Sequence, residues 1–144
     1  PRSLSSFQIM KGLRVQTPSN LQVIADLYKS FLTLDPEAAL AAFNDDSIWV
    51  EPGDNTRAGV YRGVVEIAQH ADHCRHLCDG NWGTDVVEML AGDRFVVVVE
   101  RALALRNGTS LNMIVNTVYE MTDGVIDKLQ VLPYDCEAWN TFWS

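Results

Sequence analysis

Trp82 to Tyr134 reads WGTDVVEMLAGDRFVVVVERALALRNGTSLNMIVNTVYEMTDGVIDKLQVLPY, and this stretch decides the fold. It is rich in Val, Ile, Thr and Tyr, which suit a pleated, half-buried surface. Ala91-Gly92-Asp93, Asn107-Gly108 and Asp123-Gly124 divide it into four strands, 82–90, 94–105, 110–121 and 125–134. Asn-Gly and Asp-Gly accept the positive φ angles of a tight hairpin turn, so the four strands are expected to form an antiparallel meander.

Upstream of the meander the periodicity changes. Ser19, with Gln22 three residues later, is a capping-box pattern. Leu21, Ile24, Leu27, Tyr28 and Phe31 then recur at helical spacing. Asp35-Pro36-Glu37 opens a short second helix: an N-cap acid, a proline at the first turn and an acid at the positive end of the dipole. Residues 46–51 read as a strand, closed by Pro52-Gly53-Asp54-Asn55. A third helix is expected from Gly63 to Cys78, and Asp135 can cap a last one ending in Trp139, Phe142 and Trp143. The predicted order is α-α-β-α-β-β-β-β-α. Such a chain makes an α+β fold, a cone-shaped roll in which a curved antiparallel sheet wraps around helices. A cone of this kind is a natural small-molecule pocket.

The chain has 144 residues, enough for one domain that needs no disulfide or metal staple. Residues 1–17 carry Arg2, Lys11 and Arg14 but no acid and no clear period; they are expected to be a flexible arm ahead of a single domain over 18–144. With 11 basic and 19 acidic residues the net charge is −8, which argues against nucleic acid as a partner. Purely apolar runs such as Ala38–Phe43 and Phe95–Val99 are far short of the ~20 residues of a membrane span. The start PRSLSSFQIM has no apolar signal core. Three cysteines, an odd number, then suggest a cytoplasmic protein with reduced thiols.

Few residues can carry chemistry. Strand alternation puts Ser47, Trp49 and Glu51 on one face, and Pro52 holds Glu51 extended. Beside an indole, at the lip of an apolar cone, its carboxyl should lose solvation and gain affinity for its proton, as a general base requires. Arg101 lies within an otherwise apolar strand and needs a partner, such as Glu88, Glu120 or a ligand. Met113, Val115, Thr117 and Tyr119 alternate along one face and, with Trp49, Leu103 and Val131, would make a large apolar surface. His70, His73 and His76 drift around their helix by about 60° per step, so they cannot converge on a metal. They read as a partly exposed polar face. Cys74 and Cys78 read as buried small apolar groups.

Phe43-Asn-Asp-Asp-Ser-Ile-Trp-Val-Glu51-Pro52, then Glu100-Arg101, Asn107-Gly108, Thr122-Asp123-Gly124-Val-Ile126 and Tyr134-Asp135 occur in an order that resembles the nuclear transport factor 2-like superfamily. Within it the chain is similar to the SnoaL-like polyketide cyclases, the ketosteroid isomerases and the limonene-epoxide hydrolases. The resemblance spans about Leu21 to Phe142. It implies that Glu51 stands where the isomerases place their proton-abstracting acid, and Arg101 where the epoxide hydrolases place a catalytic arginine. The two acids of the hydrolase triad fall on Leu103 and Val131. The SnoaL acid also falls on Val131 and its histidine on Leu129, so epoxide hydrolysis of the family type is disfavoured. The isomerase donors fall on Thr117 and Leu27, with Tyr28 one residue along. The resemblance also brings His73 to the pocket, since the third helix closes the cone.

The expected function is a cofactor-independent cyclase or isomerase of a hydrophobic polyketide-type intermediate, such as arises in natural-product biosynthesis. Glu51 would serve as its acid or base, Arg101 would be catalytic, and the ring closure could be of the cycloaddition kind. The alternatives are an epoxide-opening cyclase or hydrolase and a non-catalytic binding or dimerisation module. The partners are a small hydrophobic substrate and, because apolar residues of the 94–105 strand would otherwise be exposed, a second copy of the chain. No metal is expected.

Overall fold

The computed structural model describes residues 19–144, so the arm expected over 1–17 lies outside the described residues. The elements are α1 (Asn20–Leu32), α2 (Pro36–Leu40), β1 (Ile48–Glu51), β2 (Gly59–Arg62), α3 (Gly63–Leu77), β3 (Trp82–Ala91), β4 (Phe95–Arg106), β5 (Thr109–Thr122), β6 (Val125–Pro133) and α4 (Cys136–Trp143). The expected caps form. Ser19 accepts from the Gln22 N–H, Asp35 from Ala38 and Asp135 from Ala138.

One six-stranded sheet has the order β2-β1-β6-β5-β4-β3. The meander β3–β6 is antiparallel throughout, as predicted. Its β4–β5 and β5–β6 turns place Asn107, Gly108, Asp123 and Gly124 at positive φ, between 49° and 78°. Strand β1 pairs with β6 in parallel, Trp49 opposite Leu129. Register shifts at Val86/Glu88 and Glu120/Met121 are bulges, which bend the sheet.

The strand β2 is absent from the predicted order. Its four residues are too short to show an alternation and follow directly on the polar loop after Pro52. It leads straight into α3 through Gly63, at φ +79°. A Cβ there would stand 3.1 Å from the Asp45 carbonyl, so glycine is needed both for the backbone angle and for the approach.

The core lies on the concave side. Ile24, Leu27 and Tyr28 of α1 and Ile67 of α3 meet Val96, Val98 and Ala102 of β4, with Tyr119, Leu129 and Val131 beyond them. Full burial of an aliphatic side chain such as Ile24 is worth about 1.5–3 kcal/mol. Helix α4 buries Trp139 and Trp143 in the same core. It is tied to the loop after β1: Thr56 N–H donates to the Trp143 carbonyl at 3.1 Å, and Asn140 Oδ1 accepts from Asp54 N and Asn55 Nδ2. No helix among the described residues is long and apolar enough to cross a membrane.

Candidate active site

Glu51 ends β1 on the face that also carries Trp49, and only 3% of it is exposed. Three donors share its Oε1: Arg57 Nη2 at 2.8 Å, Trp49 Nε1 at 3.1 Å and His70 Nε2 at 3.2 Å. A carboxylate can only accept, so Nε2 of His70 carries the hydrogen. Tyr61 stacks on the His70 ring at 3.7 Å between centroids and Trp49 meets it edge-on at 5.3 Å. Nδ1 of His70 has the Cys74 sulfur 3.8 Å away.

Burial alone would raise the Glu51 pKa. The charge of Arg57, with the hydrogen bonds from His70 and Arg57, outweighs it and holds the carboxyl below its ordinary value. This corrects the expectation that desolvation by Trp49 would win. The expectation lacked Arg57, which sits in the loop and is itself enclosed.

A second carboxyl behaves in the opposite way. Glu100 points inward from β4, 7% exposed. The Tyr28 hydroxyl donates to its Oε2, and the Tyr119 hydroxyl donates to that of Tyr28 at 2.9 Å. Burial raises the Glu100 pKa, and the hydrogen bond from Tyr28 only partly offsets the rise. Burial pushes the hydroxyls of Tyr28 and Tyr119 up as well; Tyr119 and Glu100 add to the rise at Tyr28, and at Tyr119 Glu100 adds to it while the hydrogen bond to Tyr28 opposes it.

Several predicted positions change place. Val96, Val98, Glu100, Ala102 and Ala104 are the buried side of β4, so Arg101 and Leu103 lie on the outer face of the sheet. Arg101 is exposed and bonds Asn112 Oδ1 at 2.9 Å rather than Glu88 or Glu120; Glu120 pairs with Arg94. Neither Arg101 nor Leu103 reaches the interior. His73 is exposed too, with Nε2 3.2 Å from the Thr56 carbonyl. The buried stripe of α3 is Gly63, Ile67 and His70, with Cys74 and Leu77 half-buried along it, so His70 leaves the polar face on which it was placed. Val115, Thr117, Tyr119 and Val131 are buried on the concave side, Tyr28 reaches them from α1, and Trp49 is half-buried. Met113 lies at the rim, in an open groove with Leu111, Ala138 and Phe142.

Three residues of the cluster were not foreseen as site residues. His70 carried a signal, since it continues the helical stripe through Ile67. Glu100 carried one only if the parity of β4 were known. Arg57 carried none.

Glu51, His70 and Cys74 offer an oxygen, a nitrogen and a sulfur within 4.8 Å of one another, the geometry of a metal-binding set. The thiolate is the ligating form, and burial pushes the Cys74 thiol up to about 12 despite Arg57 nearby. A cation there would have to displace both that proton and the Arg57 bond, so the donor set fits a metal poorly.

No protein-family model and no curated protein matches the chain. Solved structures do. Bal32a, from a soil-derived mobile gene cassette, is 24% identical with a TM-score of 0.82, over 87% of this chain and 96% of its own. TerC, crystallised with polyporic acid, is 22% identical with a TM-score of 0.75, over 85% and 95%. An NTF2-like protein of unknown function from Burkholderia pseudomallei is 19% identical with a TM-score of 0.79, over 87% and 97%. A protein of unknown function from Xanthomonas campestris, 18% identical with a TM-score of 0.80, is described as cystatin-like. Together with the six-stranded sheet curled around its helices, these likenesses give the chain the nuclear transport factor 2-like, or cystatin-like, fold.

Proposed function

We propose that the chain is a cofactor-independent cyclase or isomerase of a small, hydrophobic, polyketide-type molecule, working by proton transfer inside the cone. What supports this is one observation: an apolar interior holds two carboxyls pushed to opposite states, Glu51 charged and Glu100 inclined to keep its proton. Such divergence is how one site supplies base and acid together. In this reading His70 is the base and Glu51 positions it. With its Nε2–H bonded to Glu51, the neutral ring has a lone pair on Nδ1 to take a proton from carbon next to a carbonyl. Glu51 then stabilises the imidazolium that forms. Glu100, with Tyr28 and Tyr119, is the opposite wall that returns a proton. The apolar face of Val115 and Val131 holds the substrate in the reactive shape, which also serves a cycloaddition-type closure. The substrate class draws support from TerC, which was crystallised with polyporic acid. A second copy over the outer sheet face belongs to the same reading, supported by exposed Leu90, Leu105 and Leu132 and testable by light scattering.

The experiment needs no knowledge of the true substrate. In D2O the protein should speed deuterium uptake into the acetyl group of 2-acetylnaphthalene, read by mass spectrometry. His70→Asn should lower that rate by about 10²–10⁴-fold, the usual loss for a positioned base. Binding of the ketone without exchange would leave a non-catalytic binder and sink the proton-transfer reading.

A further inference from the structure

The loop cation Arg57 lies within 4.7 Å of the Trp82 and Trp143 ring centroids and 5.1 Å of that of Trp139. Only its Nη2 is spent, on Glu51. Its Nε and Nη1, and the indole Nε1 of Trp139 and of Trp143, are buried and find no hydrogen-bond partner among the described residues. Ring faces attract the charge but accept hydrogen bonds weakly. An unpaired buried donor usually costs more than the bond it lacks would return, and the two on the guanidinium with the two on the indoles beside it outnumber the one unpartnered acceptor of the pair, Glu51 Oε2, so a further acceptor is called for.

Charge decides what the acceptor is. Arg57 and Glu51 already neutralise each other, so a carboxylate added here would leave a net buried negative charge. A neutral carbonyl oxygen satisfies the same donors without that penalty. Of the three rings, Trp82 is the exposed one, at 37%, while Trp139 and Trp143 are buried.

We therefore propose that Arg57, with the indole N–H groups of Trp139 and Trp143, forms a subsite for a neutral ketone or quinone oxygen of the ligand. This rests on the reading of the interior as a small-molecule site and assigns the polar group the molecule must carry.

Three probes of one shape test it by calorimetry: 2-acetylnaphthalene, 2-ethylnaphthalene and 2-naphthoate. The ketone should bind about tenfold more tightly than the hydrocarbon, the gain from hydrogen bonds to a charged donor. The carboxylate should bind more weakly than the ketone. Trp139→Phe and Trp143→Phe remove an N–H and keep a ring; each should shrink the preference for the ketone while leaving 2-ethylnaphthalene binding within about twofold, with folding checked by circular dichroism. Equal binding of ketone and hydrocarbon, a preference for the carboxylate, or a ketone preference unchanged in both variants overturns the subsite and leaves the interior reading standing. Failure of all three probes to bind overturns both.

Discussion

Glu51 and Glu100 enter the same interior from opposite parts of the sheet, β1 and β4, and are almost equally buried. Glu51 meets a guanidinium and two ring N–H groups; Glu100 meets the hydroxyl of Tyr28, itself bonded by that of Tyr119. One carboxyl is held ionised, the other is pushed towards its neutral form. Burial is the largest influence on both and points the same way, so depth does not distinguish them. A single full charge beside one and not the other does.

The largest effect should come from removing that charge. Arg57→Gln strands an ionised, buried Glu51, and loss of one partner of a buried pair costs about 3–5 kcal/mol. Urea denaturation should show it, and the double variant Arg57→Gln/Glu51→Gln should recover most of it. A double variant as unstable as the single one would mean that Arg57 matters through its tryptophan contacts. By the same logic Glu51→Gln alone should lower the melting temperature, because it leaves Arg57 without its counter-charge.

Titration sharpens the contrast. The folded-state pKa of Glu51 lies below the ordinary 4.5, so its stabilisation is present above that value and is lost as pH falls through the lower folded value. Glu100 has the opposite sign. With its folded pKa raised, the unfolded chain gives up the proton first, and stability drains as pH rises from 4.5 through the folded value. Glu100→Gln should therefore flatten the decline above about pH 4.5. Urea midpoints across that range that are parallel in the wild type and Glu100→Gln would show that the two carboxyls do not differ.

The smallest effect belongs to Arg101. Outside the cone and bonded, among the described residues, to exposed Asn112, it should tolerate Arg101→Ala within about 0.5 kcal/mol, with 2-acetylnaphthalene binding unchanged. A loss of ketone binding in that variant would put Arg101 in the site and break the division of the sheet into two faces.

The meander, the capped helices and the concave positions on β5 were legible because turn chemistry and alternation are local. The parity of β4 was not. Phe95–Val99 is apolar at every position, so alternation there cannot say which side is inside, and it fell to Glu100 and Arg101, neighbours of opposite charge, to reveal it. The resemblance chose Arg101; the structure buries Glu100. Arg57 lay beyond reach for a different reason. Its burial depends on Trp82, Trp139 and Trp143, which no local spacing connects to it.

The parallel pairing of β1 with β6 has a consequence for how the chain is made. Trp49 finds Leu129 only after about eighty further residues exist, and Arg57 waits longer still for Trp143. During synthesis the early helices and β1 therefore emerge with no sheet to cover them and no rings around their cation. The meander, whose turns close locally, is the portion able to form early, and the N-terminal third must condense onto it afterwards. A chain cut before α4 should therefore pair most of its sheet while Arg57 still lacks the rings of Trp139 and Trp143.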